Sequence, residues 1–465
     1  MPTFKITTLG CKVNQYESAA MAQNLMQKGW AAVQSGKNSD LFVINTCTVT
    51  QKASMQSRQA VRRAIRSNPD ACIVVTGCYA QIEPDSIKKI KGVHYIVGHA
   101  DKHKIPEIIT SENTKNIVLP ESCPLLIWSD IGQESKFRSS PVTVFANRTR
   151  PFIKIQDGCN SFCTYCIVPY ARGRSRSMSL EEVLGSIKLL KASGYHEVVL
   201  SGIHLGRYGL DLAPPTSLYE LLKKIENLQP VDRVRLSSIE PDNLTDDIIK
   251  MVAGSDVFCH HFHIPLQSGD NSVLTRMHRP YSREFFENLT MKIHKFLPDA
   301  AIGVDTLIGF PGETQEAFEN TYSLIKNLPV TYLHVFPFSA RKGTPAHEYP
   351  DKVSAQAIKD RCLRMRELGI NKKNEFYKKM IGKNTEILIE GTQSKFKGCL
   401  KGTTSNYIPV FVRCEEKLKN SIIKVRIDEL CGKNAVLGNI IETSDKRRNT
   451  TQKLCGGGNQ IRTGE

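Results

Sequence analysis

The sequence predicts an α/β chain of three modules in series: an N-terminal parallel-sheet α/β domain, a central βα barrel, complete or partial, and a small antiparallel β-barrel. In the N-terminal part, continuous apolar runs alternate with helix-like stretches, as in a parallel sheet covered on both faces. The same βα rhythm resumes at Pro151 and continues past Tyr332. After Asn371 the strands become short and β-branched, divided by turns rich in Gly, Asn and Lys, which suits a small barrel.

The first module, residues 1–120, has strands at FKITTL (Phe4–Leu9), LFVIN (Leu41–Asn45) and CIVVTG (Cys72–Gly77). Helical stretches follow each of them, at Tyr16–Lys28, at Gln51–Arg66 and after Pro84. Residues 121–147 hold ESCPLL and the polar run GQESKFRSS, lack this alternation and read as a linker. The second module, 148–371, opens with the strand FIKIQ. Ser179 and Glu182 then form a capping box, each able to satisfy the other's free backbone N–H, on a helix ending near Gly194. EVVLSG, RVRLSS, FHIPL, AIGVDTLIGF and YLHVFPF continue the strands, with helices at Ser217–Glu226 and Arg283–Phe296. The third module, 372–442, contains EILIEG, YIPVFV and SIIKVRI; the tail 443–465 lacks apolar periodicity and reads as disordered.

Across 465 residues, 63 Lys and Arg oppose 46 Asp and Glu, a net charge of +17. With 40% hydrophobic and 23% charged residues, the composition excludes wholesale disorder. No apolar run is long enough for a membrane span, and MPTFKITTLG lacks a signal-peptide pattern. A reducing cytoplasmic setting follows, so clustered members of the 14 cysteines read as metal or redox sites rather than disulfides. The positive charge points to a polyanion, nucleic acid above all. Residues 372–447 carry 16 basic against 9 acidic residues, a net of +7.

Cys159, Cys163 and Cys166 are spaced C-x-x-x-C-x-x-C directly after the first barrel strand, where catalytic loops sit. Three thiolates on a [4Fe–4S] cube leave one iron open for a small ligand; a zinc site with a distant fourth ligand is the competing reading. Cys11, Cys47 and Cys78 each lie just beyond the carboxyl end of an N-terminal strand (TTLGC, INTC, VTGC). In an open parallel sheet those ends converge on one crevice, although three buried structural cysteines fit the pattern equally well. Cys72, at the start of its strand, reads as core.

The cysteine loop resembles that of the radical S-adenosylmethionine (SAM) superfamily. That resemblance implies that SAM binds the open iron and is cleaved by one electron to a 5′-deoxyadenosyl radical. It places Tyr165 near the adenine and the strand end Ser201-Gly202 near the SAM amino group, although a typical Gly-Gly-Glu is absent. Glu240 and the Gly309–Gly312 turn are further cofactor-site candidates. The order GCKVNQYES, INTCTV, VTGCYAQ, CNSFCTYCIVPYARGRSRS and a basic C-terminal barrel of the TRAM type resembles the methylthiotransferases over residues 1–442. GCKVN and IPLQSG are similar to the bacterial subgroup acting on N6-threonylcarbamoyladenosine at tRNA position 37, beside the anticodon. The resemblance then implies a second [4Fe–4S] cluster on Cys11, Cys47 and Cys78. One SAM methylates sulfur held there, and a second supplies the radical that removes hydrogen from C2 of the adenine. An external electron donor and a sulfur source are implied as well. Competing substrates are isopentenyladenosine-37 and a ribosomal protein side chain, and a non-catalytic RNA-binding iron–sulfur sensor is a competing class.

Three further groups stand out. If ARGRSRS is extended, Arg172, Arg174 and Arg176 share one face and can meet phosphates or the carboxylate of the modified base; a solvated loop is the bland reading. Arg148 and Arg150 precede the first barrel strand. His260, His261 and His263 lead into an apolar strand, so at least one belongs to the core, and polar contact with SAM or substrate is favoured over metal binding. Cys123, Cys259, Cys362, Cys399, Cys414, Cys431 and Cys455 lack a metal spacing and read as free thiols.

Overall fold

The first module is a six-stranded parallel sheet in the order β2-β1-β3-β4-β5-β6. Its strands are β1 (Thr3–Thr8), β2 (Ala31–Ala32), β3 (Leu41–Thr46), β4 (Cys72–Gly77), β5 (Tyr95–Val97) and β6 (Leu125–Ile127). Alternate residues of the central strands feed opposite faces, as the two-residue period requires. Phe42, Ile44, Ile73 and Val75 pack with Val61 and Ala64 of the helix α2 (Gln51–Ser67). Leu41, Val43 and Val74 pack with Met21 and Leu25 of α1 (Lys12–Gln27). β3 and β4, buried along nearly their whole length, need continuous apolar sequence, which is why they are readable. The segment expected to be linker differs: Leu125–Ile127 pairs with β5 as a sheet strand.

The second module is an open barrel of parallel strands. β7 (Phe152–Lys154), β10 (Glu197–Ser201) and β11 (Arg233–Leu236) form one three-stranded sheet in the order β11-β10-β7. β12 (His261–Gln267), β13 (Ala301–Ile308) and β14 (Tyr332–Pro337) form another. Parallel bridges Val234–Phe258 and Ser238–His263 join the two. A short antiparallel pair, β8 (Gln156–Asp157) with β9 (Arg176–Ser177), closes the loop after β7. The capping box is present on the helix Leu180–Ala192: Glu182 N–H donates to Ser179 Oγ at 3.3 Å, and Ser179 N–H donates to the Glu182 carboxylate at 3.2 Å.

The helix Ala355–Met380 runs through the expected boundary near residue 371, so the third module's strands begin at Asn384. They are β15 (Asn384–Gln393), β16 (Cys399–Thr404), β17 (Pro409–Arg413), β18 (Ile422–Cys431) and β19 (Ala435–Glu442). The barrel closes as β15-β16-β17-β19-β18, antiparallel except where β17 meets β19 in parallel. It is docked on the second module through buried polar contacts. Arg235 donates to the carbonyls of Ser405 (2.8 Å) and Thr404 (3.0 Å), and Asn406 donates to the Asp299 carbonyl at 2.8 Å.

This computed structural model describes residues 1–33, 39–110, 124–138, 140–145, 148–393, 398–432 and 435–442. The tail 443–465, Cys123 and Cys455 lie outside them. Among the described residues no helix is long and apolar enough to cross a membrane.

Candidate active site

The three N-terminal cysteines sit where β1, β3 and β4 end. Cys11 caps α1, Cys47 follows β3, and Cys78 opens the short helix α3 (Cys78–Ile82). Glycine precedes two of them for a steric reason. At Gly10, φ is +99° and a Cβ would stand 2.9 Å from Cys47 Cβ and 3.0 Å from its Sγ. At Gly77, φ is +94° and a Cβ would meet the Thr46 carbonyl oxygen at 2.6 Å. Only glycine allows this approach at positive φ. Ser57 of α2 fixes Cys47, accepting from its N–H at 3.2 Å and donating to its carbonyl at 2.9 Å. Burial pushes the Cys47 thiol up to about 11, with Cys78 and Cys11 close enough to push in the same direction. Burial raises Cys78 too, against the opposing pull of Arg172. Cys72, at the start of β4, is pushed up to about 12 by burial alone and packs in the core.

The second triad lies on the loop between β8 and the helix α4 (Val168–Arg172). Cys159 N–H donates to the Gly173 carbonyl at 3.0 Å, and Thr164 donates to the carbonyls of Met277 (3.2 Å) and Arg276 (2.8 Å). Each sulfur has its own polar setting. Burial raises the Cys159 thiol, but His204 Nδ1 at 3.5 Å and the Ser161 N–H at 3.4 Å outweigh it, so the net shift is downward. Burial raises Cys163 despite the bond it accepts from Arg279 at 3.3 Å. Burial pushes Cys166 up to about 12. Raised thiols release protons when metal binds.

Among the described residues neither triad gathers its sulfurs within 4.8 Å of one another. A tetrahedral zinc would hold them about 3.8 Å apart, given Zn–S bonds of about 2.3 Å. Thiolates on separate irons of a cube stand further apart than on one ion, and three cysteine sulfurs in each triad are a donor set that such a cluster can take.

The other expected cofactor residues surround the second triad. Tyr165 packs on Phe310 at 6.4 Å between ring centroids. Ser201 ends β10, its carbonyl accepting from Ile155 N–H at 2.9 Å. Gly202 abuts Gln156, whose side-chain oxygen accepts from His204 N–H at 2.7 Å. Glu240 pairs with Arg279, which bridges it to Cys163. His204 and Arg279, in contact with the Cys159 and Cys163 sulfurs, carry no sequence signal: each is one polar residue in a loop, with no motif around it.

The arginine motif differs from expectation. Arg172 ends α4 and is 1% exposed, Arg176 is buried, and only Arg174 faces solvent. A phosphate-facing row is therefore excluded. Arg176 donates to the carbonyls of Glu134, Arg174 and Arg172 at 3.2, 3.0 and 2.9 Å. Arg172 reaches Asp157 (2.7 Å) of the second module, and Glu17 (3.2 Å) and Asn14 of α1. Lys102 and Lys154 complete the cluster, at 2.6 and 3.1 Å from Glu17. This buried ionic cluster joins the first module to the second beside Cys78, whose thiolate Arg172 favours. The histidine run is also resolved. His261 bonds Tyr332 at 2.7 Å in the interior, and His263 bonds Ser238 at 3.0 Å and Asp305 at 2.7 Å. His260 N–H donates to Ser405 Oγ, so the run gathers no common donor set.

Residues 3–98, which contain the first triad, match the uncharacterized protein family UPF0004, and residues 153–325 match the radical SAM superfamily. The chain is 40% identical to a threonylcarbamoyladenosine tRNA methylthiotransferase (MtaB) of Bacillus subtilis, covering 92% of this chain and 94% of that one. It is 37% identical to the MtaB of Aquifex aeolicus, covering 82% and 91%. It is 36% identical to a tRNA-2-methylthio-N(6)-dimethylallyladenosine synthase of Clostridium botulinum, covering 86% and 89%. Its fold is similar to that of the radical SAM methyltransferase TsrM of Kitasatospora setae, with a TM-score of 0.56, 16% identity, and 74% and 77% of the chains covered. The chain belongs to the radical SAM methylthiotransferase family, alongside the MtaB proteins.

Proposed function

We propose that this enzyme adds a methylthio group to C2 of N6-threonylcarbamoyladenosine at position 37 of tRNA. The observation that carries the reading is the pair of cysteine triads, one at the strand ends of the first module and one on the first barrel loop of the second. When bound, a [4Fe–4S] cluster on Cys159, Cys163 and Cys166 supplies the electron that cleaves SAM, and one on Cys11, Cys47 and Cys78 supplies the open iron that holds sulfur. The chain's own residues prepare these sites. His204 and Arg279 hydrogen-bond the Cys159 and Cys163 sulfurs and favour their thiolates. Tyr165 and Phe310 offer an apolar wall for an adenine ring, and Glu240 is held by Arg279 to face the same loop. Arg172 favours the thiolate of Cys78 and ties the two triad-bearing modules together.

The nucleoside assignment rests on the similarity to the MtaB proteins, and the near-equal similarity to a dimethylallyladenosine synthase defines the test. Protein reconstituted anaerobically with iron and sulfide is given SAM, a chemical reductant and anticodon stem-loops bearing either nucleoside. Mass spectrometry is expected to find 2-methylthio-N6-threonylcarbamoyladenosine and about eight irons per chain. Product from the isopentenyl RNA alone would overturn the substrate, and about four irons the two-cluster reading. An external electron donor, a sulfur source and a cytoplasmic location complete the proposal.

A further inference from the structure

A cleft of ≈ 640 Å³ opens where the C-terminal barrel meets the second module, a size that encloses a nucleotide. It lies away from the cysteine loops. Ala301 and Tyr332, which open β13 and β14, and Arg150, just ahead of β7, line it at the amino ends of the barrel strands. Ser201 ends β10, the Gly309–Gly312 turn follows β13 and the second triad follows β8, all at carboxyl ends. β13, eight residues long, separates the two ends by about 23 Å. A base that meets the catalytic loops therefore leaves this cleft free for another group.

The walls are aromatic and the lining carries surplus positive charge. Tyr332 contributes from β14, Phe376 and Tyr377 from the helix Ala355–Met380, and Tyr407 and Phe411 from the C-terminal barrel. Tyr407 lies in the turn between β16 and β17 at φ +66°, a conformation that bulky side chains rarely adopt, and is 38% exposed. Strain of this kind clusters at ligand clamps, where the surroundings hold it in place. Here His261, 4.6 Å away between ring centroids, and Arg235, at 5.1 Å, brace the ring, with Tyr332 at 5.9 Å. A braced, part-exposed ring is a stacking surface for an unstacked base. Arg150 and Lys401 line the same cleft and both pair with Glu390, at 2.8 and 2.9 Å. Glu197, 3.9 Å from Arg150, already accepts from Arg235 at 2.8 Å. Three cations thus share two carboxylates, which suits a phosphate. The amide in the lining, Asn406, is engaged with the Asp299 carbonyl and the Thr404 hydroxyl, so a base is met on its face more than on its edge. We infer that this cleft binds a second nucleotide of the tRNA, its base stacked on Tyr407 and its phosphate at Arg150 and Lys401, while the target base occupies the catalytic end of the barrel. This rests on the reading of the tRNA anticodon arm as substrate. Stacking accepts any base, so the cleft holds the RNA in position without reading its sequence.

Anticodon stem-loops with an abasic site at one loop position at a time, keeping the modified nucleoside at 37, are titrated into reconstituted wild type, Tyr407→Ala and Tyr407→Phe. Wild type is expected to lose affinity at one position besides 37, by about fivefold to a hundredfold, the scale of one base–aromatic stack. Tyr407→Ala is expected to bind the intact RNA that much more weakly and to lose nothing further from that abasic site. Tyr407→Phe, which keeps the ring, is expected to behave as wild type. Indifference of wild type to every abasic site outside 37 overturns the inference, even if Tyr407→Ala folds poorly. So do independent, additive losses from Tyr407→Ala and the abasic site. Adenosine and uridine monophosphates are titrated in parallel: binding of either that Tyr407→Ala abolishes, with no abasic position coupled to Tyr407, would assign the cleft to a free nucleotide and overturn the tRNA contact. Failure of wild type to methylthiolate the intact RNA refutes the substrate reading, whereas the coupling of Tyr407 to one loop base tests the cleft.

Discussion

His99 sits inside the ionic cluster between the first two modules, 3.5 Å from Asp157, with its Nδ1 lacking a partner. Burial, with Lys102 and Arg172 beside it, pushes its pKa down from 6.5 to about 3. The sign follows from which state takes up the proton. As pH falls through 6.5, the unfolded chain protonates this residue and the folded chain does not. Stability is therefore full above that value and lost below it, by about 1.4 kcal/mol per pH unit down to about 3. Urea melts between pH 7 and 5 are expected to show a loss that steepens toward this slope as pH falls below 6.5, and His99→Gln to flatten it. Glu17 and Asp157, held well below their ordinary range, add their own losses only in stronger acid. Cys47 tests the other half of the site. Cys47→Ala leaves the second triad intact, so SAM cleavage to 5′-deoxyadenosine continues while methylthio product falls to background. Near-normal product from this variant would refute a role in holding sulfur. The six cysteines were legible because a C-x-x-x-C-x-x-C spacing and three strand ends are sequence patterns. Glu17, His99, Lys102, Lys154 and Asp157 were not, nor was the buried pairing of Arg172, because distant segments meet only in the folded chain.

Apolar continuity decided which elements were legible more than length did: the 26-residue helix Ala355–Met380, rich in Lys and Arg, was not legible and crosses the expected module boundary. The helix Arg283–Phe296 and the strand Cys72–Gly77 have the bounds their sequences suggest. β2, β5 and β6, of two or three residues, are too short to show a period. β16 and β19 are interrupted by Gly402 and Gly438, which weaken the strand signal for a packing reason. A Cβ at Gly402 would lie 2.6 Å from the Ile387 side chain, and one at Gly438 would lie 2.7 Å from the Arg426 carbonyl. The capping box shows how a local signal survives in the fold. Ser179→Ala removes the acceptor for Glu182 N–H and is expected to cost about 1 kcal/mol, read as a lower urea midpoint with an unchanged slope. Ser179→Asp, which keeps an acceptor at the helix N-terminus, is expected to restore most of it.

At the scale of the whole molecule, the net charge of +17 is not spread over one RNA-facing surface. Arg172, Arg176, Arg233 and Arg235 are buried, the first in the ionic cluster and the last in the docking of the C-terminal barrel. Removing that barrel would strip partners from Arg235 and Arg150, so deletion would confound RNA binding with folding. Its outward arginines are the better probe. Arg426 faces Asn439 of β19 from β18, and Val412, next to Arg413, faces Gly438 from β17. The two exposed guanidinium groups therefore flank one strand of the barrel. Adjacent strands stand about 4.8 Å apart, so these groups can reach different phosphates of one RNA. Each phosphate contact contributes about 0.7 to 0.9 to the slope of log affinity against log salt. Arg413→Gln with Arg426→Gln is expected to lower that slope for a tRNA anticodon arm by about 1.4 to 1.8 and to weaken binding at low salt most. Because neither side chain lies in the core, the thermal midpoint should stay near that of the wild type. An unchanged salt slope would move the RNA path off this face of the barrel.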